Sequence, residues 1–137
     1  MINLHGWAQI RESYRADSEE LHINEIKEKI FEQIKKFKWR NHTGIISLDF
    51  LNGNLHLTYT VSANRARNET REIFELLEFI CFIASGSFGL TYFHDDEDMN
   101  GMDNYYHVYI LAKGTITESV DKFLSPLIPT IEDNSHK

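Results

Sequence analysis

Alternation of apolar and polar positions predicts a strand at the start of the chain, over Ile2–Tyr14. Leu4 and Ile10 fall on one face of this strand and His5 and Trp7 on the other, because successive side chains of a strand point to opposite faces. Four later segments also have strand-like patterns. They are Ile45–Leu51, Asn54–Ser62, Phe88–His94 and Tyr105–Ala112.

Two other segments repeat apolar residues every three or four positions, which is the period of an amphipathic helix. The first covers about Leu21–Lys38, with lysines and glutamates opposite the apolar stripe. The second covers Glu69–Ala84 and is apolar on more of its circumference, so we expect it to be the more buried helix. Ser85-Gly86, directly after it, predicts a left-handed helix cap.

Short turn signals connect these elements. Asn52-Gly53 between two apolar runs predicts a tight hairpin, because a type I′ turn needs positive φ at both central residues. Lys113-Gly114 ends the last predicted strand. The β-α-β-β-α-β-β order predicts an α+β fold with a mostly antiparallel sheet of about five strands and both helices on one face, in a ferredoxin-like arrangement with an added strand. We expect the apolar tail, residues 123–131, to pack on the body in extended form.

The length of 137 residues fits a single domain over 1–137. Cys81 is the only cysteine, which excludes an intramolecular disulfide and favours a reducing compartment. The first residues lack the pattern of a signal peptide, and the longest apolar run, Phe79–Ala84, is far too short to cross a bilayer. We therefore expect a cytoplasmic protein that does not bind membranes.

The formal net charge is −7, and residues 94–137 carry −6 of it. Such a field repels nucleic acids and attracts basic proteins or metal ions. We therefore expect no nucleic-acid partner. The densest part of this charge is His94–Asp103, named the acidic segment below.

One interpretation of the acidic segment is a calcium loop. Asp96, Asp98, Asn100 and Gly101 match positions 1, 3, 5 and 6 of such a loop. Position 12 should be a bidentate glutamate but is His107, and a strand is predicted where a helix should follow. A divalent-metal-binding or regulatory domain remains the alternative function on these grounds.

Two further interpretations are a solvated hairpin loop without a role and a contact surface for a basic partner. Adjacent carboxylates repel one another in the free loop, and a cationic partner relieves that repulsion while gaining association rate. Aromatic residues near the loop favour the contact surface, since aromatic side chains often anchor protein interfaces. The predicted partner-binding residues are Asp95, Asp96, Glu97, Asp98, Asp103, Tyr105 and Trp7.

Catalytic and cofactor motifs are not found. The seven histidines show no metal-ligand spacing, and Gly86–Gly89 connects a helix to a strand, the wrong order for a phosphate-binding loop. Cys81 lies on the more buried helix and is interpreted as a core residue. The paired carboxylates are adjacent, whereas catalytic pairs usually face each other across a cleft. We predict neither an enzyme nor a cofactor, and a small hydrolase is the least favoured hypothesis.

Four segments, taken in order, carry a resemblance to a known family. They are Leu4–Trp7, Leu51–Thr58, Gly86–Leu90 with His94–Asp98, and Phe123–Asp133. Together they resemble the Imm7 family of bacterial immunity proteins, over nearly the whole chain. This resemblance implies an antitoxin that is encoded beside a polymorphic or contact-dependent growth inhibition toxin. Such a protein binds the toxin's C-terminal domain in the cytoplasm and blocks its active site or the approach of its substrate.

The resemblance also suggests why the charge is placed as it is. Many such toxins are nucleases, and a nuclease that grips phosphates has a basic cleft that an acidic loop can occupy. The family supplies neither a catalytic motif nor toxin-contacting residues for this chain. The contact residues above therefore follow from charge and aromatic content alone.

Overall fold

The computed structural model describes residues 1–12, 22–64, 68–98, 100–121, 123 and 125–131. Within this part of the chain there are six strands, two long helices and one helical turn. The strands are β1 (Ile2–Ile10), β2 (Gly44–Leu51), β3 (Asn54–Ala63), β4 (Phe88–Asp95), β5 (His107–Ala112) and β6 (Thr115–Val120). The helices are α1 (Ile23–Ile34) and α2 (Glu69–Ile83), and the turn is α3 (Leu127–Thr130).

All six strands form one antiparallel sheet in the order β2-β3-β1-β4-β5-β6. β1 lies inside the sheet, where Ile2 is opposite both Ala63 of β3 and Asp95 of β4. β4, β5 and β6 then follow one another as neighbours. This register places the start of β1 directly beside the end of β4, where the acidic segment begins.

The two long helices share one hydrophobic core with one face of the sheet. Ile26 and Ile30 of α1 and Ile73 and Leu77 of α2 are almost fully buried in this core, as is Leu4 of β1. Each such side chain contributes about 1.5–3 kcal/mol to the free energy of unfolding. Neither α1 nor α2 covers the opposite face, which is named the open sheet face below.

Two hairpin turns have the backbone geometry that the sequence indicates. Asn52 and Gly53 have φ of 51° and 80°, and they join β2 to β3. The predicted tight hairpin is thus confirmed. Lys113 and Gly114 have φ of 53° and 74° and join β5 to β6 in the same way.

The predicted strand count was too low. β6 was missed because four of its six residues are threonine, serine or glutamate, so its apolar alternation is weak. The ferredoxin-like arrangement with one added strand is not confirmed, since both β5 and β6 lie beyond β4. β1 ends at Ile10, well before the predicted Tyr14, and β5 begins at His107, two residues after the predicted start.

The predicted left-handed cap at Ser85-Gly86 was wrong, because neither residue has a positive φ. Gly86 is required for space instead, since a Cβ there would lie 1.9 Å from the carbonyl oxygen of Glu12. The tail is not simply extended. Leu127 is buried within the helical turn α3, whereas Phe123 is 92% exposed.

Some predicted features lie outside the described residues, namely Tyr14, the polar stretch at 15–20, Met99 and the chain after Ile131. Among the helices that the structure describes, none is long and apolar enough to cross a membrane.

Candidate partner-binding surface

Two carboxylates of the acidic segment shape its backbone. The backbone N–H of Glu97 donates to Oδ1 of Asp95 at 2.9 Å, and the N–H of Asn100 donates to Oδ1 of Asp98 at 2.7 Å. Such local bonds from aspartate to the backbone two residues on stabilise turns. Asp95 and Asp98 therefore hold the loop in shape as well as carrying charge.

The other two adjacent carboxylates face a cation from the same chain. The Met1 ammonium lies 2.7 Å from Oδ1 of Asp96 and 3.5 Å from Oε2 of Glu97. The hydrogen bond to Asp96 is the main reason that the pKa of this amino group is raised. The repulsion expected among the adjacent carboxylates of the free loop is thus partly relieved within the chain itself. One ammonium among four carboxylates still leaves the segment strongly negative.

Partly buried polar contacts hold the ends of the acidic segment and the residue that follows it. His94 is only 5% exposed, and its Nε2 donates to the backbone carbonyl of Asp103, which closes the loop. The amide side chain of Asn104 donates to the carbonyl of Ile128 at 2.9 Å and accepts from its N–H at 2.8 Å. The turn α3 therefore supports the acidic segment, so that its carboxylates are presented by a braced loop.

Aromatic rings cover the open sheet face beside this loop. His5 stacks on Tyr92 with ring centroids 5.9 Å apart, and Tyr106 meets both rings edge-on. Partial burial lowers the pKa of His5, which favours a neutral ring near pH 7. Farther along β1, Trp7 packs edge-on against Phe88 at 6.0 Å.

The predicted contact residues fall into two groups. Asp95 ends β4, and Asp96–Asp98, Asp103 and Tyr105 lie in the connection between β4 and β5. Trp7 lies apart, opposite Leu90 of β4, about 17 Å along the strand from Ile2 at the usual rise per residue. The open sheet face connects these two groups.

Sequence reasoning left three residues of this connecting surface out of the predicted set, namely His5, Tyr92 and Tyr106. Tyr106 contacts His94 as well as His5 and Tyr92, so it joins the acidic segment to the aromatic rings. The available signal was that His5 and Trp7 share one face of β1. Cross-strand partners on β4 could not be assigned before the register was known.

The carboxylates of Asp95, Asp96 and Glu97 are close enough to share a cation, with one oxygen of each within 4.8 Å of the others. This set differs from the calcium-loop positions Asp96, Asp98, Asn100 and Gly101. Asp96 and Glu97 of the set also face the Met1 ammonium. Exposed carboxylate groups of this kind are common on loops, so the cluster alone does not identify a metal site.

The family model of immunity protein 7 (Imm7) matches residues 1–133. The chain belongs to the Imm7 family. The resemblance seen in the sequence is thereby confirmed. No curated protein and no solved structure matches the chain.

Membership of the Imm7 family indicates the general role of the protein. Immunity proteins neutralise toxins, so a cognate toxin is implied as the partner. Immunity proteins are generally not enzymes.

Proposed function

We propose that this Imm7 protein acts in the cytoplasm against a toxin of a polymorphic or contact-dependent growth inhibition system. It places the acidic segment and the open sheet face against a basic cleft of the toxin domain, and that toxin is a nuclease. The observation that carries the proposal is the braced acidic loop beside uncovered aromatic rings. Binding there prevents the nucleic-acid substrate from reaching the toxin's active site.

Electrostatics supports a basic toxin surface. The side chains of Asp96 and Glu97 are 54% and 66% exposed, so both are available to a partner. A nuclease holds phosphates with lysine and arginine, and carboxylates can pair with the same groups. Opposite potentials also speed the encounter of two proteins, which matters for an inhibitor that must act before the toxin does.

Aromatic side chains would supply the apolar part of the contact. Trp7 is 39% exposed on the open sheet face, and Tyr105, two residues after the acidic segment, is 36% exposed. Tryptophan and tyrosine are enriched among the residues that dominate binding energy at interfaces. The proposed contact therefore runs from Asp95 through Tyr105 and across the sheet to Trp7.

The test is calorimetry with the purified C-terminal domain of the toxin encoded next to this protein. We expect a 1:1 complex, an affinity that falls as salt rises, and loss of the toxin's nuclease activity. A toxin domain that binds with no dependence on salt would contradict the acidic contact. Absence of any complex at low salt would overturn the proposed partner.

One alternative function is a divalent-metal-binding domain, and the observation that favours it is the cluster of Asp95, Asp96 and Glu97. Calorimetry of the full chain with calcium, magnesium and manganese separates the two functions. A micromolar isotherm that is lost in Asp96→Asn would favour metal binding. No heat of binding would leave the toxin contact as the role of these carboxylates.

A further inference from the structure

β2 forms one edge of the sheet, and β3 is its only neighbour among the described strands. The two-residue turn at Asn52-Gly53 makes Leu51 and Asn54 a hydrogen-bonded pair. At the other end of the hairpin, the N–H of Ser62 donates to the carbonyl of Thr43 at 2.8 Å. This bond agrees with the same alternation of hydrogen-bonded and non-hydrogen-bonded pairs along the two strands. The odd-numbered residues of β2 therefore bond to β3.

The even-numbered residues of β2 consequently direct their backbone groups away from the sheet. Ile46, Leu48 and Phe50 each present an N–H and a carbonyl along the outer edge. No hydrogen bond joins these groups to any residue that the structure describes. The backbone N–H and carbonyl groups of these three residues are thus available to pair with another strand.

β2 also lacks the devices that usually protect an edge strand. Edge strands commonly carry lysine, proline or a bulge, which prevent pairing with another chain. β2 has no lysine or proline, is paired with β3 along its whole length without a bulge, and carries a single charge, Asp49. Its apolar side chains are unusually exposed, with Ile45 at 65% and Leu51 at 54%.

We propose that β2 pairs with β2 of a second copy of this chain, antiparallel and about a two-fold axis at Leu48. This register uses the outward groups of Ile46, Leu48 and Phe50 in both copies and forms about six hydrogen bonds. A shift of this register by two residues in one direction would use Gly44, whose carbonyl already accepts a hydrogen bond from the N–H of Asn41. A shift by two residues in the other direction would use Asn52, which belongs to the turn.

In this register the side chains of β2 match those of β2 in a second copy. This match is the reason that we propose a second copy as the partner of this edge. Exposed Ile45 lies opposite Leu51 of the second copy, so the two most exposed apolar residues of the strand cover each other. Asp49 lies opposite Ser47 of the second copy, so no like charges face each other. The same patch serves both copies, as a two-fold interface requires.

This interface contains none of the residues of the proposed toxin contact. The acidic segment follows β4, which is three strands away from β2 in the sheet, or about 14 Å at the usual strand spacing. A dimer through β2 therefore leaves the acidic segment free. Failure of either proposal does not decide the other.

The first experiment measures self-association of the full chain by sedimentation velocity over a range of concentrations. Ser47→Lys places a lysine opposite Asp49 of the second copy, whereas Ser47→Asp places a second carboxylate there. Both variants lose the same 3.3 Å contact between Ser47 and Thr58. We expect a monomer–dimer equilibrium that Ser47→Lys tightens by roughly 3- to 10-fold and Ser47→Asp weakens by a similar factor, since two such pairs form per dimer.

A monomer at every concentration, or equal shifts in both Ser47 variants, would overturn the proposal. A disulfide experiment then tests the register in a Cys81→Ala background. Ser47→Cys with Asp49→Cys should cross-link two chains under oxidising conditions, because opposite residues of a non-hydrogen-bonded pair are about 4.5 Å apart at Cα, within the range of a disulfide. Ser47→Cys alone should remain monomeric on a non-reducing gel, and cross-linking of that single variant as readily as the double one would contradict the register.

Discussion

The phenol of Tyr59 on β3 reaches across Gly6 of β1 and hydrogen-bonds to the hydroxyl of Thr91 on β4. Both residues lie directly opposite Gly6 in the sheet, on its core face. Both are almost completely buried, with exposures of 3% and 2%. Each polar group satisfies the other, so the core tolerates them both.

Gly6→Ala should strongly destabilise the fold. An added Cβ would lie 2.7 Å from the Tyr59 hydroxyl and 2.5 Å from the carbonyl oxygen of Leu90, so the ring must move or the strands must separate. We expect the free energy of unfolding to fall by about 2–4 kcal/mol in urea titrations. Gly53→Ala is the control, because it has open space and should cost only about 1 kcal/mol through its positive φ. Equal losses in the two variants would contradict the role assigned to Gly6.

Tyr59 should make the protein sensitive to alkaline pH. Burial raises the pKa of Tyr59 to about 12, and the hydrogen bond between Tyr59 and Thr91 opposes this rise. Between pH 10 and 12 an unfolded tyrosine ionises while the folded one does not, so ionisation favours unfolding as pH rises. The loss should reach about 3 kcal/mol at most, since each pKa unit corresponds to about 1.4 kcal/mol.

Tyr59→Phe isolates this effect from the other tyrosines. At pH 7 the variant should be less stable by about 1–2 kcal/mol, because Thr91 loses its buried partner. Between pH 10 and 12 the stability difference should shrink and then reverse, because only the protein with Tyr59 loses stability through ionisation of this residue. Urea titrations at a series of pH values measure both curves. A difference that stays constant to pH 12 would show that Tyr59 ionises normally in the folded protein.

Removing exposed charge from the acidic segment should slow toxin binding. Asp96→Asn with Glu97→Gln leaves the backbone-bonding carboxylates of Asp95 and Asp98 in place, so the loop should keep its shape. We expect the association rate constant to fall by about three- to tenfold at low salt and its salt dependence to flatten. Stopped-flow fluorescence with the toxin domain measures both quantities.

The matched control removes the same charge from α1. Glu25→Gln with Glu28→Gln changes two exposed carboxylates on the helical side of the sheet, far from the acidic segment. This control should change the association rate much less than the loop variant does. If both variants slow binding equally, only the net charge matters and the acidic segment is not the contact.

Trp7 and Phe82 test which side of the sheet meets the toxin. Trp7→Ala should weaken toxin binding by about 2 kcal/mol, or roughly 30-fold in Kd, because an exposed indole on the open sheet face is lost. Phe82 is 84% exposed on α2, on the helical side, and Phe82→Ala should leave Kd almost unchanged. Calorimetry gives both values, and circular dichroism checks that both variants fold. The reverse order of effects would place the toxin on the helices.

Local signals in the sequence were sufficient for much of this fold. Asn52-Gly53 predicted its hairpin because the turn depends on two adjacent residues only. β6 escaped notice because Thr117, Glu118 and Ser119 are polar and exposed, and an edge strand needs only one buried side. The requirement for glycine at position 86 comes from Glu12, far away in the sequence, and no local rule contains that contact.

The candidate site could be predicted in composition but not in arrangement. The charge of the acidic segment was evident in the sequence, yet its pairing with the Met1 ammonium joins residues 95 positions apart. Trp7 was predicted to flank the acidic segment or a neighbouring strand, but its distance from the segment along β1 follows only from the register. Tyr106 was not selected, because its contact with His5 depends on how the chain returns after the loop.

Successive side chains of β1 alternate between the two faces of the sheet, and this alternation has a consequence for the effects of substitutions. Leu4 and Ala8 are fully buried in the core, while His5 and Trp7 between them point to the open sheet face. Substitutions at the second pair alter the outer surface with little effect on packing, and substitutions at the first pair do the reverse. If the proposed toxin contact holds, a single central strand thus separates the residues that keep the fold from those that can be exchanged to match a different toxin.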